Sequence, residues 1–287
     1  MKNFSGKVAA ITGASSGMGR ALAIQLAQQG CGVALSDVDE KGLAETASML
    51  ATYDVKVTTT VLDVSDKEAM FAWADDTAKE HGKVNMIFNN AGVALSGTVP
   101  ALSLDDYEWI MGINFNGVLY GTKAFLPHLE ASGEGHVINT SSIFGLASQP
   151  LMSGYNASKF AVRGFTESLR QDLEISGSKV SASCVHPGGI KTNIARTARM
   201  DASVEKITGV SQEVSVREFE KLFTTSAEQA AKAILKGVKK NKRRILIGSD
   251  ARVFELIVRL FPSGYQWLFT KVMQLQNKKA AAKTKDA

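Results

Sequence analysis

Disulfide chemistry is the first thing this chain lacks. Its 287 residues hold two cysteines, Cys31 and Cys184, and neither stands in a C-x-x-C pair or beside a metal-spaced histidine. A reduced, cytoplasmic protein with two structural thiols is therefore expected. Histidine is equally sparse: His81, His128, His136 and His186 are scattered without ligand spacing, so no metal site is expected. Of the five prolines, none gathers with serine into a linker that would divide the chain. No run of about 20 apolar residues is present to span a bilayer. No secretory signal is read ahead of the first strand, because Met1 to Lys7 lead straight into it.

Charge of one sign is also scarce. The net charge of +5 comes partly from Lys239, Lys240, Lys242, Arg243 and Arg244, and from a tail carrying Lys278, Lys279, Lys283 and Lys285. Neither group is interleaved with aromatics or set on a nucleic-acid motif, so no nucleic-acid partner is expected. A solvated helix end and a loose tail account for both. With 45% hydrophobic and 21% charged residues, the chain can bury a sizeable core.

What is present is a rhythm. Short apolar runs at Val8–Ile11, Val33–Leu35, Val57–Val61, Val84–Phe88, His136–Asn139 and Val180–Val185 read as buried parallel strands. Amphipathic stretches separate them, among them Ala21–Gln29, Lys67–His81 and a long one from Leu104 to Glu130 that opens on a capping box at Ser103. Tyr155 to Ile175 places Phe160, Phe165, Leu169 and Leu173 near one stripe, and Gly177 stops it. The pattern predicts one α/β domain, a doubly wound parallel sheet of about seven strands flanked by helices. That domain should occupy residues 1–250.

Two regions break the rhythm. Residues 190–225 follow a Pro-Gly pair with weak, mixed periodicity, which suits a mobile substrate lid. Residues 251–287 form an apolar and basic extension rather than a second domain, expected to pack on the lid or on a sister subunit. Arg252, Glu255 and Arg259 share one side of it, leaving an apolar face that could instead lie on a membrane surface.

Two sets of residues carry chemistry. Strand Val8–Ile11 runs into Thr12, Gly13, Ala14, Ser15, Ser16, Gly17, Met18 and Gly19, then a helix. Such a turn lets backbone amides and the helix dipole approach a pyrophosphate. Asp37, 24 residues after Gly13 (37 − 13), ends the second strand, where a carboxylate accepts ribose hydroxyls and repels a 2′-phosphate. No arginine or lysine stands at Ser16 or Val38 to reverse that preference, so NAD(H) is favoured and NADP(H) stays open. The second set is Ser142, Tyr155 and Lys159. Tyr155 and Lys159, four apart on a helix, share a face. A phenol titrates near pH 10 when unperturbed, and a fixed ammonium beside it should bring it toward the working range. Ser142 can hydrogen-bond the oxygen that Tyr155 protonates, which is equipment for general acid-base work on a carbonyl or alcohol.

Together these residues resemble the classical short-chain dehydrogenase/reductase family. The matching elements are Thr12–Gly19, Asp63-Val64, Asn89-Asn90-Ala91-Gly92, Asn114, Ser142, Tyr155-x-x-x-Lys159 and Pro187-Gly188-x-Ile190-x-Thr192, in the family's order over residues 5–248. The resemblance implies a Rossmann-like fold and a nicotinamide cofactor. It places Asp63 and Val64 on the adenine and Asn90, Ala91 and Gly92 near the ribose, with Pro187, Gly188, Ile190 and Thr192 around the carboxamide. Asn114, in a helix kink, would hold through its backbone a water linked to Lys159, Lys159 would grip the nicotinamide ribose, and Tyr155 would be the acid or base. It also implies a homodimer or homotetramer through helices at 103–130 and 155–176. The apolar loop 143–154, including Phe144 and Leu151, points to a hydrophobic alcohol or ketone as substrate. A 3-oxoacyl reductase or an NADP(H)-dependent ketoreductase is the nearest alternative, then a membrane-associated lipid or steroid dehydrogenase. A non-enzymatic nucleotide sensor would show a broken tetrad, and Asn114, Ser142, Tyr155 and Lys159 are all intact.

Overall fold

The computed structural model describes residues 1–221 and 223–285, the side chains of Phe219 and of residues 276–285 excepted. The chain begins β1 (Val8–Thr12), α1 (Gly17–Ala27), β2 (Gly32–Asp37), α2 (Glu40–Leu50), β3 (Val57–Val61), α3 (Lys67–His81) and β4 (Met86–Asn89). After the short β5 (Leu95–Ser96) come α4 (Leu104–Met111), α5 (Gly117–Ala131), β6 (Gly135–Thr140), α6 (Ser153–Ile175) and β7 (Val180–Pro187). Residues 190–226 hold β8 (Ile190–Lys191), β9 (Arg199–Met200), α7 (Ala202–Thr208), α8 (Gln212–Lys221) and β10 (Thr225–Ser226). Then α9 (Ala227–Lys239) and β11 (Arg244–Ile247) close the domain, and α10 (Ser249–Leu260) and α11 (Gly264–Lys285) extend it.

Seven strands form one sheet in the order β11-β7-β6-β4-β1-β2-β3, all pairs parallel. A parallel sheet needs crossover helices, which cover both faces and leave the inner strands buried, while the edge strand β3 stays partly exposed. β1 and β6 are buried at every position. Alternate residues face opposite sides, so Ala9 and Ile11 join one apolar cluster with α1 and α9 while Ala10 joins the other with α3 and α5. On that second side Trp73 meets Phe125 edge to face, ring centroids 5.0 Å apart. The order reverses between β1 and β4, and the crevice at their C-terminal ends is where such sheets bind ligands.

Three readings change in detail. The stretch from Leu104 to Glu130 is not one helix: a π-helical turn at Gly112–Asn116 divides α4 from α5. The fourth strand starts at Met86 rather than Val84; ahead of it the Asn85 backbone bonds the Val8 carbonyl and the His136 amide (2.9 Å each), and its side chain also accepts from the Val8 amide (3.1 Å). Residues 190–225 are not devoid of regular structure, since β8 pairs with β10 and β9 with β5, and α7 and α8 lie between. The basic cluster before β11 is partly structural: Arg243 bonds Glu174 and Arg244 bonds both Glu167 and Glu255. The lysines of the tail fall outside the described side chains.

Candidate active site

The glycine turn is built for close approach. Gly13 has φ +67°, and a Cβ there would stand 2.8 Å from Ala91 Cα; at Gly19 it would stand 2.0 Å from the Gly13 carbonyl oxygen. Only glycine lets β1, α1 and the β4 loop meet this tightly. Asn90 ties that loop down by donating to the carbonyls of Thr12 (3.1 Å) and Gly13 (3.3 Å). Thr12 Oγ1 accepts from the amides of Asn90 and Ala91, each at 3.0 Å. Asp37 accepts from the Ser15 amide (2.9 Å) and the Asp39 amide (3.0 Å), which stations its carboxylate at the turn. Asp63, exposed at the end of β3, accepts from Ser65, while Val64 is buried and would meet a Cβ at Gly117.

Two observations bear on whether a dinucleotide fits this turn. Ser16 begins α1 without any side-chain cap, so the amides at Gly17, Met18 and Gly19 keep their donors for an anion. Asn90 Oδ1 is buried and has no partner. A pyrophosphate on those amides, with its nucleoside along Asp37, matches this donor and acceptor set.

The four candidate catalytic residues converge from three elements. Ser142 stands past β6, Tyr155 and Lys159 on α6, and Asn114 in the π turn. Ser142 is hydrogen-bonded to the Tyr155 phenol, and its Oγ also accepts from the Phe144 amide at 3.1 Å. Lys159 Nζ donates to the Thr140 carbonyl (3.1 Å) and lies 5.7 Å from the Tyr155 ring centre. Asn114 Oδ1 accepts from the Val93 amide (2.9 Å), and its Nδ2 donates to the Val93 carbonyl (3.0 Å) and Ser158 Oγ (3.1 Å). The π turn buries Asn114 against α6, a use such turns often serve at functional sites. His186 accounts for the far side of Ser142: its Nδ1 donates to the Ser142 carbonyl at 2.9 Å.

Electrostatics differ from the expectation in one respect. Burial raises the Tyr155 phenol above its ordinary value, and the Ser142 hydrogen bond only partly opposes this. Burial also lowers Lys159 to about 8. Both follow from one cause, since a dry site disfavours phenolate and ammonium alike. The pair therefore rests as a neutral phenol beside an ammonium at neutral pH, the state needed to give a proton.

Above these groups lies a cavity of about 630 Å³. Met18, Asn90, Gly92, Ser142, Phe144, Leu151, Tyr155, Lys159, Pro187, Gly188, Ile190 and Thr192 all line it. Gly13, Ser15, Ser16, Gly17, Gly19, Asp37, Asp63, Val64, Ala91 and Asn114 stand outside that lining. Its only charged side chains, among the described residues, are Lys159 and Asp250. Leu151 is held at φ +63°, where its carbonyl accepts from the Gly97 amide (2.8 Å), so strain is kept at the cavity wall.

Sequence reasoning missed the rest of the wall. The 190–226 segment contributes Met200, Val204 and Val216, and the C-terminal helices contribute Phe254, Phe269, Val272 and Met273. Asp250 was missed too. Its Oδ2 accepts from the Gly189 amide at 2.7 Å, tying the start of α10 to the Pro187–Thr192 loop. The apolar run after Val253 was the available signal, but its periodicity could not say which face turned inward.

Comparison with known proteins follows the same lines. The short chain dehydrogenase family profile matches residues 7–203. SadH of Mycobacterium tuberculosis, named as an oxidoreductase, is 45% identical over 269 residues, covering 93% of this chain and 95% of its own. The C alpha-dehydrogenase of a Sphingobium species is 34% identical over 257 residues, covering 88% and 84%. Among solved structures, a short chain dehydrogenase/reductase from Burkholderia phymatum in complex with NAD superimposes with a TM-score of 0.83 at 33% identity, covering 93% of this chain and 97% of that one.

Proposed function

The chain belongs to the short chain dehydrogenase family, and on that premise we propose that it interconverts an apolar secondary alcohol and its ketone with NAD(H). One observation carries the reading: a cavity walled by Phe144, Leu151, Phe254 and Phe269 leads down to Tyr155, Ser142 and Lys159. Among the described residues of that wall a carboxylate or phosphate substrate would find no arginine, and Lys159 as the one cation, so burying its charge poorly paired would be costly.

Bound NAD(H) would supply the hydride acceptor or donor. The residues supply the proton and the geometry. In reduction, Ser142 Oγ and the Tyr155 hydroxyl take the substrate oxygen from two sides, and Tyr155 gives it a proton as negative charge develops there. In oxidation the same proton returns to the phenolate. Lys159, anchored on the Thr140 carbonyl, stabilises that phenolate through space. Thr192 and the Ile190 backbone line the cavity where the carboxamide would sit, and so would choose the ring face presented.

Preference for NAD(H) over NADP(H) rests on Asp37 and on Arg20. The Asp37 carboxylate repels a 2′-phosphate. Arg20, which bonds the turn itself, is already committed to the Ser15 carbonyl, the Gly42 carbonyl (3.1 Å), Thr46 Oγ1 (2.9 Å) and Glu45 (3.2 Å). A structural relative bound to NAD supports the same choice. Nicotinamide absorbance is followed with a panel of apolar secondary alcohols and ketones, using NAD(H) and NADP(H) in parallel. Turnover with NAD(H) at least about tenfold better is expected, a difference of about 1.4 kcal/mol. Turnover only with NADP(H) would overturn the role of Asp37, and turnover confined to sugars or charged acids would overturn the substrate class.

A further inference from the structure

The C-terminal helices have two apolar faces, and only one is used. Inward, Ala251 and Tyr265 are buried, and Phe254 and Phe269 meet at 5.6 Å between ring centres. The Tyr265 hydroxyl accepts from the Ser148 amide at 3.2 Å, which seats α11 on the loop beside Tyr155. Outward, Val253, Leu256, Leu260, Phe261, Trp267, Leu268 and Leu275 are exposed, Trp267 to 66% and Phe261 to 62%. On α10 the exposed residues recur at i, i+3 and i+7 (253, 256, 260), which is one continuous stripe. On α11, Leu268, Val272 and Leu275 repeat at i, i+4 and i+7. Val272 also lines the cavity, so this stripe borders its wall.

Charge decides what covers the stripe. Residues 251–285 carry Arg252, Arg259, Lys271, Lys278, Lys279, Lys283 and Lys285 against a single acid, Glu255. The Glu255 carboxylate is already held by Arg244 (2.6 Å) and Arg259 (3.0 Å). A second copy docking here by two-fold symmetry would face this basic segment with itself, and like charges repel. An anionic lipid surface complements it. Tryptophan and phenylalanine beside arginine and lysine are the residues that settle at a bilayer interface. No helix among the described residues is long and apolar enough to cross a membrane, so the contact lies in the headgroup plane.

We infer that the outer face of α10 and α11 docks the protein on an anionic bilayer surface, bringing the wall of the substrate cavity against the lipid. A poorly soluble ketone or alcohol would then pass from bilayer to cavity without crossing water, a consequence that rests on the apolar-substrate reading above. The docking itself does not depend on it.

The test uses the full chain and vesicle flotation, which needs no substrate. Phosphatidylcholine vesicles are compared with vesicles enriched in phosphatidylglycerol, at low salt and at about 0.5 M NaCl, where screening reaches only a few ångströms. Binding to the anionic vesicles should exceed neutral binding at least about tenfold and fall by a similar factor in salt. Tryptophan emission should shift to the blue on binding and the shift should be lost in Trp267→Ser, because Trp73 is already buried and Trp109 is half-buried beneath Arg199. The variant Leu256→Ser/Leu260→Ser/Trp267→Ser should lose flotation while keeping its circular dichroism and its turnover of a small soluble ketone. Arg252→Glu/Lys271→Glu should lose anionic binding alone, which keeps the test open if the triple variant misfolds. Absent flotation of the wild type, or unchanged flotation of both variants, overturns the inference. So does a triple variant whose only change is a smaller sedimenting species, which would assign the stripe to a second copy.

Discussion

At the scale of single residues, burial rather than partner charge sets the protonation of the candidate site. Tyr155 is pushed up and Lys159 down to about 8 by the same dry surroundings. Tyr155→Phe should cut turnover by at least about a thousandfold, within the range that general acid-base catalysis supplies, and leave NAD(H) binding nearly unchanged by fluorescence titration. Near-normal rates in that variant would remove the phenol from the mechanism. Reductive turnover should fall as pH rises through about 8, where Lys159 loses its proton. His136 and His186 make a stability statement. Burial lowers them from 6.5 to about 3 and about 4, so the unfolded chain takes up protons that the native core refuses. Stability is fully present above pH 6.5 and declines as pH falls toward 4, by about 1.4 kcal/mol per pH unit for each histidine. Thermal unfolding at pH 7 and pH 5 should show this, and His136→Gln, which can still reach Ser183 Oγ, should flatten the slope.

At the scale of elements, the chain separates parts that hold the fold from parts that shape the site. Ser103 caps α4 in a reciprocal box with Asp106, and neither residue lines the cavity. Ser103→Ala should cost about 1 kcal/mol, seen as a drop of a few degrees in Tm, with kcat unchanged. The π turn is the opposite case. Asn114 spends its amide on Val93 and Ser158, which places the turn against α6 and leaves no side-chain group free for the substrate. Nothing in the local pattern from Leu104 to Glu130 announces that turn, because helical periodicity is nearly the same on either side of one inserted residue. The C-terminal helices are a site-shaping element. Phe269→Ala should enlarge the cavity and shift preference toward longer or bulkier ketones, with KM changing more than kcat across a substrate series. An unchanged series would place Phe269 outside the substrate path.

At the scale of the whole molecule, two apolar clusters flank one sheet, and the ligand crevice falls where strand order reverses. A cofactor that binds only the folded chain should stabilise it, by about 2.7 kcal/mol at a hundred times its dissociation constant. NAD should therefore raise Tm more than NADP at equal concentration, and the reverse order would count against Asp37. Much of this architecture was legible beforehand. Buried parallel strands announce themselves as short apolar runs, and the glycine turn, Ser142 and the Tyr155–Lys159 pair are local spacings that chemistry demands. The amino-acid order by itself thus determined the sheet, the turn and the candidate proton-moving group, because each depends on residues within a strand, a loop or one helical turn. Only the tertiary structure decided the pKa directions, the Asp250 tie to Gly189, and the turning of Phe254, Phe269 and Met273 into the cavity. Those depend on burial and on contacts between segments distant in sequence, 61 residues for the Asp250–Gly189 tie, which no local pattern encodes.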